Sequence, residues 1–271
     1  MFGVGMVLAS GCSSKSLVRL GAGNLKSLVV LLAMAVSALG AMRGVTAVWR
    51  VHGLDQVAVE LPHGPFAGQW LAAVTGWSLP LGVGVSAGAV ALLLLFWVAK
   101  ERSFNNPLNW LTGAGLGLVV VGLWWVSGVL GFVPEHPYTL EPVYLTTQSG
   151  RMEAFSFTAP VAYWLDAYMY FSDGSKRLTL GMVTVLGVLA GAFASALHQG
   201  SFRWEGFTHR ADLVRHLAGG VLMGTGGVLA MGCSIGQGLS GMSTLSLGSL
   251  LSVLGILAGS VAALNWQLRQ A

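Results

Sequence analysis

Two cysteines in matching contexts are the side chains with the most evident chemistry in this sequence. Cys12 and Cys233 lie 221 positions apart, and each stands between a glycine and a serine in an apolar segment. This spacing fits neither a disulfide framework nor a C-x-x-C metal or redox site. A thiol is a weak donor with a polarisable sulfur, which suits a soft sulfur atom better than the hard oxygens of sulfate. The pair therefore favours contact with a sulfur-containing ligand.

The residues around the two cysteines repeat as well. The same offset of 221 gives eight identities in eleven positions, followed in both copies by a glycine-rich stretch and a long apolar helix beginning near Asn24 or Thr244. We predict an internal repeat with cores at about 3–48 and 224–265. The identical pairs are Gly3/Gly224, Gly5/Gly226, Val7/Val228, Leu8/Leu229, Ala9/Ala230, Gly11/Gly232, Cys12/Cys233 and Ser13/Ser234.

An apolar half-helix followed by a Gly-Cys-Ser break is typical of the discontinuous helices that form binding sites in transporters. The glycines permit a tight turn, and the segments after each break present helix N-termini, which favour anions. Lys15 adds positive potential or simply extends its charge to the membrane surface. Asn24 is a helix cap or, less usually, a ligand contact. The predicted site comprises Gly11, Cys12, Ser13, Lys15 and Asn24 in the first copy and Gly232, Cys233, Ser234, Gly236, Gln237 and Gly238 in the second.

Composition places the site in a membrane. Of 271 residues, 54% are hydrophobic and 9% are charged, whereas soluble domains carry about 25% charged residues. The net charge of +4 is read as a topology signal, and no nucleic-acid partner is expected. We predict an all-α membrane protein: a polytopic bundle with pseudo-symmetric repeats and re-entrant or broken half-helices, in one transmembrane domain, 1–271. Apolar runs predict spans at 27–48, 79–99, 110–133, 178–197 and 243–265.

Shorter apolar runs and polar residues complete this picture. Met1 to Ala9 and Leu217 to Met231 each stop at a Gly-Cys-Ser triplet and read as half-helices, whereas 155–171 is expected to be interfacial or re-entrant. The six histidines are interpreted as loop residues without metal-ligand spacing, so no cofactor or metal is expected. None of the five predicted spans contains Asp, Glu or His, which disfavours a carboxylate proton relay.

The blocks from Gly3 to Val30 and from Gly226 to Ser252 resemble the two signature regions of the YeeE/YedE family, which includes bacterial thiosulfate importers. The resemblance implies an hourglass-like bundle in a bacterial inner (plasma) membrane, with thiosulfate passed along by S–H···S contacts to Cys12 and Cys233. It also implies a cytoplasmic TusA-like sulfur carrier as a partner. Family members carry a further N-terminal section with another cysteine. This sequence lacks it, so we expect a shortened form or a start site assigned too late.

Three functions remain open at this point. The first is a permease for thiosulfate or a related small sulfur anion, and the lipid bilayer is then its setting. The second is a membrane sulfurtransferase that forms a cysteine persulfide, which needs an activated thiolate with only Lys15 nearby. The third is a membrane subunit without a pathway of its own. The sequence does not separate thiosulfate from sulfite, sulfide or selenium analogues, nor does it give the energy coupling.

Overall fold

The structure, a computed structural model, describes residues 1–57, 61–101, 106–135, 140–174 and 177–269. Helices make up most of it, with one antiparallel pair of two-residue strands in which Phe132 lies opposite Tyr144. A 3₁₀ turn covers Leu54–Gln56, and π-helical turns cover Val126–Leu130 and Gly236–Gly241. The elements are α1 (Phe2–Leu8), α2 (Ser13–Gly21), α3 (Leu25–Arg43), α4 (Val45–His52), α5 (Ala67–Thr75), α6 (Leu79–Lys100), α7 (Pro107–Trp125), β1 (Phe132–Val133), β2 (Val143–Tyr144), α8 (Thr158–Met169), α9 (Leu180–His198), α10 (Arg210–Leu229) and α11 (Leu247–Leu268).

Within the described residues, five helices are long and apolar enough to cross a membrane: α3, α6, α7 with its π-helical continuation to Leu130, α9 and α11. Each lies over one of the five predicted apolar runs. Local chemistry sets several of their ends, since Asn24 and Asn106 cap α3 and α7 with their side chains and Pro107 occupies the first position of α7. The prediction of an all-α polytopic membrane protein is confirmed.

Helix α10 begins earlier than the apolar pattern indicates. Its first two turns contain Arg210, Asp212 and Arg215, which end an apolar run without ending a helix. The helix therefore has 20 residues and reaches about 30 Å, so the prediction of a half-helix from Leu217 is wrong about its length. His216, interpreted from sequence as a loop residue, is instead a buried residue of α10.

Two other elements refine the predicted boundaries. Helix α11 starts at Leu247 after the cap residue Ser246, slightly later than the expected start near Thr244. Helix α8 has 12 residues and is about 18 Å long, too short to cross the hydrocarbon core, which is about 30 Å thick. This length agrees with an interfacial or re-entrant segment at 155–171.

Helices α1 and α10 pack side by side in opposite directions. Phe2 lies beside Gly226, and Ala9 lies beside Gly219 at the other end of the contact. A methyl group added at Gly5 would sit 2.6 Å from the Gly219 carbonyl oxygen, and one at Gly226 would sit 2.6 Å from the Phe2 nitrogen. Glycine is required at both positions because the two backbones approach so closely.

Helices α1 and α10, which precede the two Gly-Cys-Ser triplets, each also pack on the long helix of the other repeat. Gly3 of α1 lies against Ile256 and Ser260 of α11, and the Ser260 hydroxyl donates to the Gly3 carbonyl at 3.3 Å. In the same way, Gly224 of α10 lies against α3. The α3 residues in this contact are Met34, Ser37 and Ala38, and an offset of 222 relates Met34 and Ala38 to Ile256 and Ser260.

The buried core surrounds these crossings. Phe2, Met34 and Met223 are at most 3% exposed and belong to one apolar cluster that also contains Cys233 and Ile256. Close packing of this cluster fixes the two helix breaks relative to each other. The cysteines are therefore positioned by the same contacts that hold the bundle together.

Candidate functional site

Helices α1 and α10 end in the same hydrogen-bonded turn. The Gly11 N–H donates to the Met6 carbonyl at 2.8 Å, and the Gly232 N–H donates to the Gly227 carbonyl, also at 2.8 Å. This bond belongs to the Schellman motif, which ends a helix and satisfies its last carbonyl groups. The two predicted helix breaks are therefore present and have equivalent backbones.

The residue that reverses the chain at each break is not the glycine of the triplet. Ser10 has a φ of +58° and Met231 a φ of +52°, so both adopt the left-handed conformation that usually selects glycine. The sequence interpretation assigned the turn to Gly11 and Gly232. These glycines instead occupy the following position, where Gly11 contacts the stem of Lys15 and Gly232 contacts Gln237.

Each cysteine opens the helix that follows its break. Cys12 is the N-cap of α2, and its sulfur lies 3.0 Å from the Ser14 hydroxyl oxygen. The Cys233 sulfur accepts a hydrogen bond from the Gly236 N–H at 3.3 Å, within a helical segment that turns π-helical at Gly236–Gly241. Both thiols thus sit at helix N-termini, where unpaired N–H groups create positive potential.

The two breaks meet in the interior. The Cys12 thiol lies beside the Ser234 hydroxyl of the other break, close enough for a polar interaction but without the geometry of a hydrogen bond. The hydroxyl oxygens of Ser13 and Ser234 are buried, and neither has a hydrogen-bond partner in the described part of the chain. These two serines are equivalent in the repeat. Buried hydroxyl groups without partners are uncommon in folded proteins.

The cysteines differ in exposure. Cys12 is half-buried, whereas Cys233 is fully buried at 0% exposure. Neither residue lines the two main cavities. The centre between the breaks is therefore closed around Cys233 in this conformation.

A cavity lies against each break. The first has a volume of about 360 Å³ and the second about 760 Å³. Val7, Leu8 and Ser10 line the first cavity, and their counterparts at an offset of 221 line the second. Those counterparts are Val228, Leu229 and Met231. The remaining lining residues of the first cavity are Asp212, Arg215, His216, Trp266 and Gln267.

The second cavity contains charged residues that sequence reasoning did not assign to the site. Arg50 of α4, together with Arg151 and Glu153 of the segment before α8, lines it opposite the second break. These residues lie outside both repeat cores, and long-range packing brings them to the wall of the second cavity. In the sequence they read only as loop charges, and no local pattern singles them out.

Three residues predicted from the second copy line the second cavity: Gly232, Gly236 and Gln237. The Gln237 side chain donates from Nε2 to the Ala230 carbonyl at 2.5 Å and so crosses the break. Gly238 is exposed and lines neither of the two cavities.

Two residues predicted from the first copy have ordinary structural roles here. Asn24 Oδ1 accepts from the Ser27 N–H at 3.1 Å, and its Nδ2 donates to Glu205 at 2.6 Å. These bonds occupy both ends of the amide and match the capping alternative. Lys15 is exposed, and its aliphatic stem covers Gly11, which matches extension toward the membrane surface. A role for either residue in contact with an ion remains a prediction.

No metal centre is found in the described ranges. Among those residues, no three His, Cys, Asp or Glu side chains come together in a way that could hold a metal ion. The groups that the candidate site offers are thiols, hydroxyls, backbone N–H groups and the cationic side chains of the cavities.

Fold and site together describe a multi-pass membrane protein whose two broken helices meet between a pair of cavities, an arrangement typical of transport proteins. The particular family follows from sequence comparison. The model of the sulphur transport family matches residues 1–262, so the chain belongs to that family. This match confirms the resemblance seen in the two Gly-Cys-Ser blocks.

Two curated relatives carry the same description. The chain is 26% identical over 273 residues to the thiosulfate transporter TsuA of Spirochaeta thermophila, covering 98% of this chain and 73% of that protein. It is 30% identical over 249 residues to the thiosulfate transporter TsuA of Escherichia coli, covering 88% of this chain and 64% of that protein. Both relatives are named as transporters, which supports transport rather than the sulfurtransferase alternative.

Proposed function

We propose that this chain is a permease for thiosulfate or a related small sulfur anion, which passes between the two helix breaks. The observation that carries the proposal is the pair of buried Ser13 and Ser234 hydroxyls without partners, each next to a cysteine. The two serines are equivalent in the repeat, and the Ser234 hydroxyl of one break lies beside the Cys12 thiol of the other. A small polar ligand between them would satisfy both hydroxyls.

The charge of the ligand follows from the helix ends. Cys12 and Cys233 open helical segments whose first N–H groups favour negative charge. Arg215 in the first cavity, with Arg50 and Arg151 in the second, extends positive potential toward both entrances. The helix ends therefore favour an anion at the two breaks, and each cavity also contains one carboxylate, Asp212 in the first and Glu153 in the second.

The thiols favour sulfur over oxygen at the centre. An S–H group is a weak donor to a polarisable atom, and the terminal sulfur of thiosulfate is such an atom. Because Cys233 is fully buried, conduction requires the segment around Gly232 to move. The hydrogen bond from Gln237 to Ala230 is the contact that such a movement would break.

Three further features belong to this proposal. We infer that the two blocks form an inverted repeat, because α1 and α10 run in opposite directions and make corresponding contacts with α11 and α3. A bacterial inner membrane is the location expected for the family. A TusA-like sulfur carrier on the cytoplasmic side would receive the imported sulfur.

Uptake of radiolabelled thiosulfate into proteoliposomes tests the function. The Cys233→Ala variant should lose at least about tenfold in uptake rate, the effect of removing one contact worth about 1.4 kcal/mol or more. Cys233→Ser, which keeps a donor, should retain more uptake than Cys233→Ala. Excess unlabelled sulfate should compete poorly.

Equal uptake by wild type and Cys233→Ala would remove the thiol from the mechanism. Absence of uptake by folded wild-type protein would contradict the permease itself. Circular dichroism and size-exclusion profiles of each variant show whether a loss of uptake reflects a loss of fold.

A further inference from the structure

The second cavity places one carboxylate among cationic side chains. Glu153 is the one acidic residue among its described lining residues, and Arg50 and Arg151 line the same space. An anion that enters this cavity therefore meets two cationic side chains and one carboxyl group, whose charge depends on protonation.

The backbone holds Glu153 in the cavity wall. Its N–H donates to the Ser127 hydroxyl at 3.3 Å, and Ser127 is fully buried. The next residue, Ala154, is 5% exposed. These contacts hold the backbone of Glu153 beside the second break.

The cations nearby do not neutralise the Glu153 carboxylate by direct pairing. Arg50 pairs with Asp55 at 3.2 Å, and Arg43 of α3 pairs with Asp166 of α8 at 3.3 Å. No ion pair to Glu153 is found among the described residues. Its own segment contributes Arg151 and the Ser149 hydroxyl, while α8 contributes Tyr163 as well as Asp166.

The surroundings favour the neutral form of this group. Burial raises the pKa of Glu153 above its ordinary value, with an opposing effect of the Ser149 hydroxyl. Burial also raises the pKa of Tyr163, and the negative charge of Glu153 adds to that effect. Glu153 therefore binds a proton more readily than an exposed glutamate does.

Building on the permease function, we propose that Glu153 is a proton-binding site linked to anion binding, so that the second cavity takes up a proton together with its anion. Protonation of a carboxylate oxygen removes the one negative charge from the cavity wall and strengthens anion binding. By reciprocity, a bound dianion strengthens proton binding by the same factor. The proton comes from water, and no bond of the anion changes.

This site explains how a carboxylate can act although the five predicted spans contain none. The sequence expectation against a carboxylate relay considered only residues inside those spans. Glu153 lies in the segment between β2 and α8, outside every candidate span. Folding brings that segment to the second break, where Glu153 supplies a carboxylate to the wall of the second cavity.

Thiosulfate binding to the purified full-length chain in detergent tests the proposal, with calorimetry for affinity and a pH-sensitive dye for proton uptake. Thiosulfate itself remains a dianion over the range used. As the pH falls from about 8 to about 5, toward the raised pKa of Glu153, wild-type affinity should increase about fivefold or more, a typical coupling between linked sites. Proton uptake should accompany binding.

Two matched variants identify the group responsible. Glu153→Gln should lose most of the pH dependence and the proton uptake, because its side chain is neutral throughout. Glu141→Gln, which changes an exposed carboxylate just before β2, should behave as wild type. Any contribution of His216, which lines the first cavity, to the pH dependence of binding is the same in both variants and cancels when they are compared.

The outcomes separate the two levels of the proposal. If Glu153→Gln keeps the wild-type pH dependence and proton uptake, Glu153 is not the linked proton site, and thiosulfate binding stands. If folded wild-type protein binds no thiosulfate at either pH, the permease function fails and the proton site fails with it.

Discussion

The two helix breaks have nearly the same backbone and very different surroundings. At both, the left-handed residue and the closing hydrogen bond are equivalent. Cys12, however, is half-buried beside a cavity of about 360 Å³, whereas Cys233 is sealed behind one of about 760 Å³. The comparison teaches that the repeated residues set the turn, while elements outside the repeat set the access to each thiol.

The largest effect is expected where the two blocks interlock. A side chain at Gly224 would overlap the backbone of α3 at Met34, so Gly224→Leu should destabilise the protein by about 3 kcal/mol or more through overpacking. Thermal unfolding in detergent and the yield of monodisperse protein measure this. Gly187→Leu on α9 is the control, because nothing lies within 4 Å of that position.

The equivalent change in the other block sharpens this result. Gly3→Leu would overlap α11 at Ile256 in the same way, and it should also destabilise the protein. If Gly3→Leu had wild-type stability, the contact of α1 with α11 would be dispensable and the interlocking of the two blocks would be one-sided.

A second effect concerns the reactivity of the two thiols. In single-cysteine proteins made by Cys12→Ser and Cys233→Ser, a small charged methanethiosulfonate should label Cys12 at least about ten times faster than Cys233, because exposure limits the reaction. Mass spectrometry at timed intervals gives both rates. Equal rates would show that the second break opens as readily as the first.

The smallest effect is expected from an ion pair that the first block has and the second lacks. Lys26 pairs with Asp212 at 2.8 Å, and the position equivalent to Lys26 at an offset of 222 is Gly248. Lys26→Met should lower the melting temperature slightly, since both partners are partly exposed and Asp212 keeps His216 at 3.0 Å.

Salt provides the internal check on this last prediction. The difference in melting temperature between wild type and Lys26→Met should shrink as ionic strength rises. Lys100→Met at the exposed end of α6 should show no such difference. If Lys26→Met lowered the melting temperature strongly and independently of salt, the aliphatic stem of Lys26 would contribute more to stability than its charge.

Features governed by local sequence were predictable, and features governed by distant packing were not. Hydrophobic runs of sufficient length gave the spanning helices, and the repeated Gly-Cys-Ser triplets gave the position of both breaks. The start of α10 was missed because polar residues such as Arg210 and Asp212 end an apolar run without ending a helix.

The composition of the site was predictable only in part. The thiols and the serines beside them are found by the repeat itself. Glu205, which holds Asn24, and Glu153, which faces the second break, lie far away in sequence. The left-handed Ser10 and Met231 were missed for a different reason, since glycine was available one position later and carries the stronger preference for such a turn.

The π-helical turn at Gly236–Gly241 allows the two halves to differ in length without losing alignment. Cys12 precedes the cap Asn24 by 12 positions, whereas Cys233 precedes the cap Ser246 by 13. One inserted residue would rotate everything beyond it by about 100° in an ordinary helix. The wider turn absorbs it, so Ser246 still bridges to Phe66 as Asn24 bridges to Glu205. After duplication, one copy of a repeat can in this way gain a residue close to its cysteine and still keep the following helix in the same orientation.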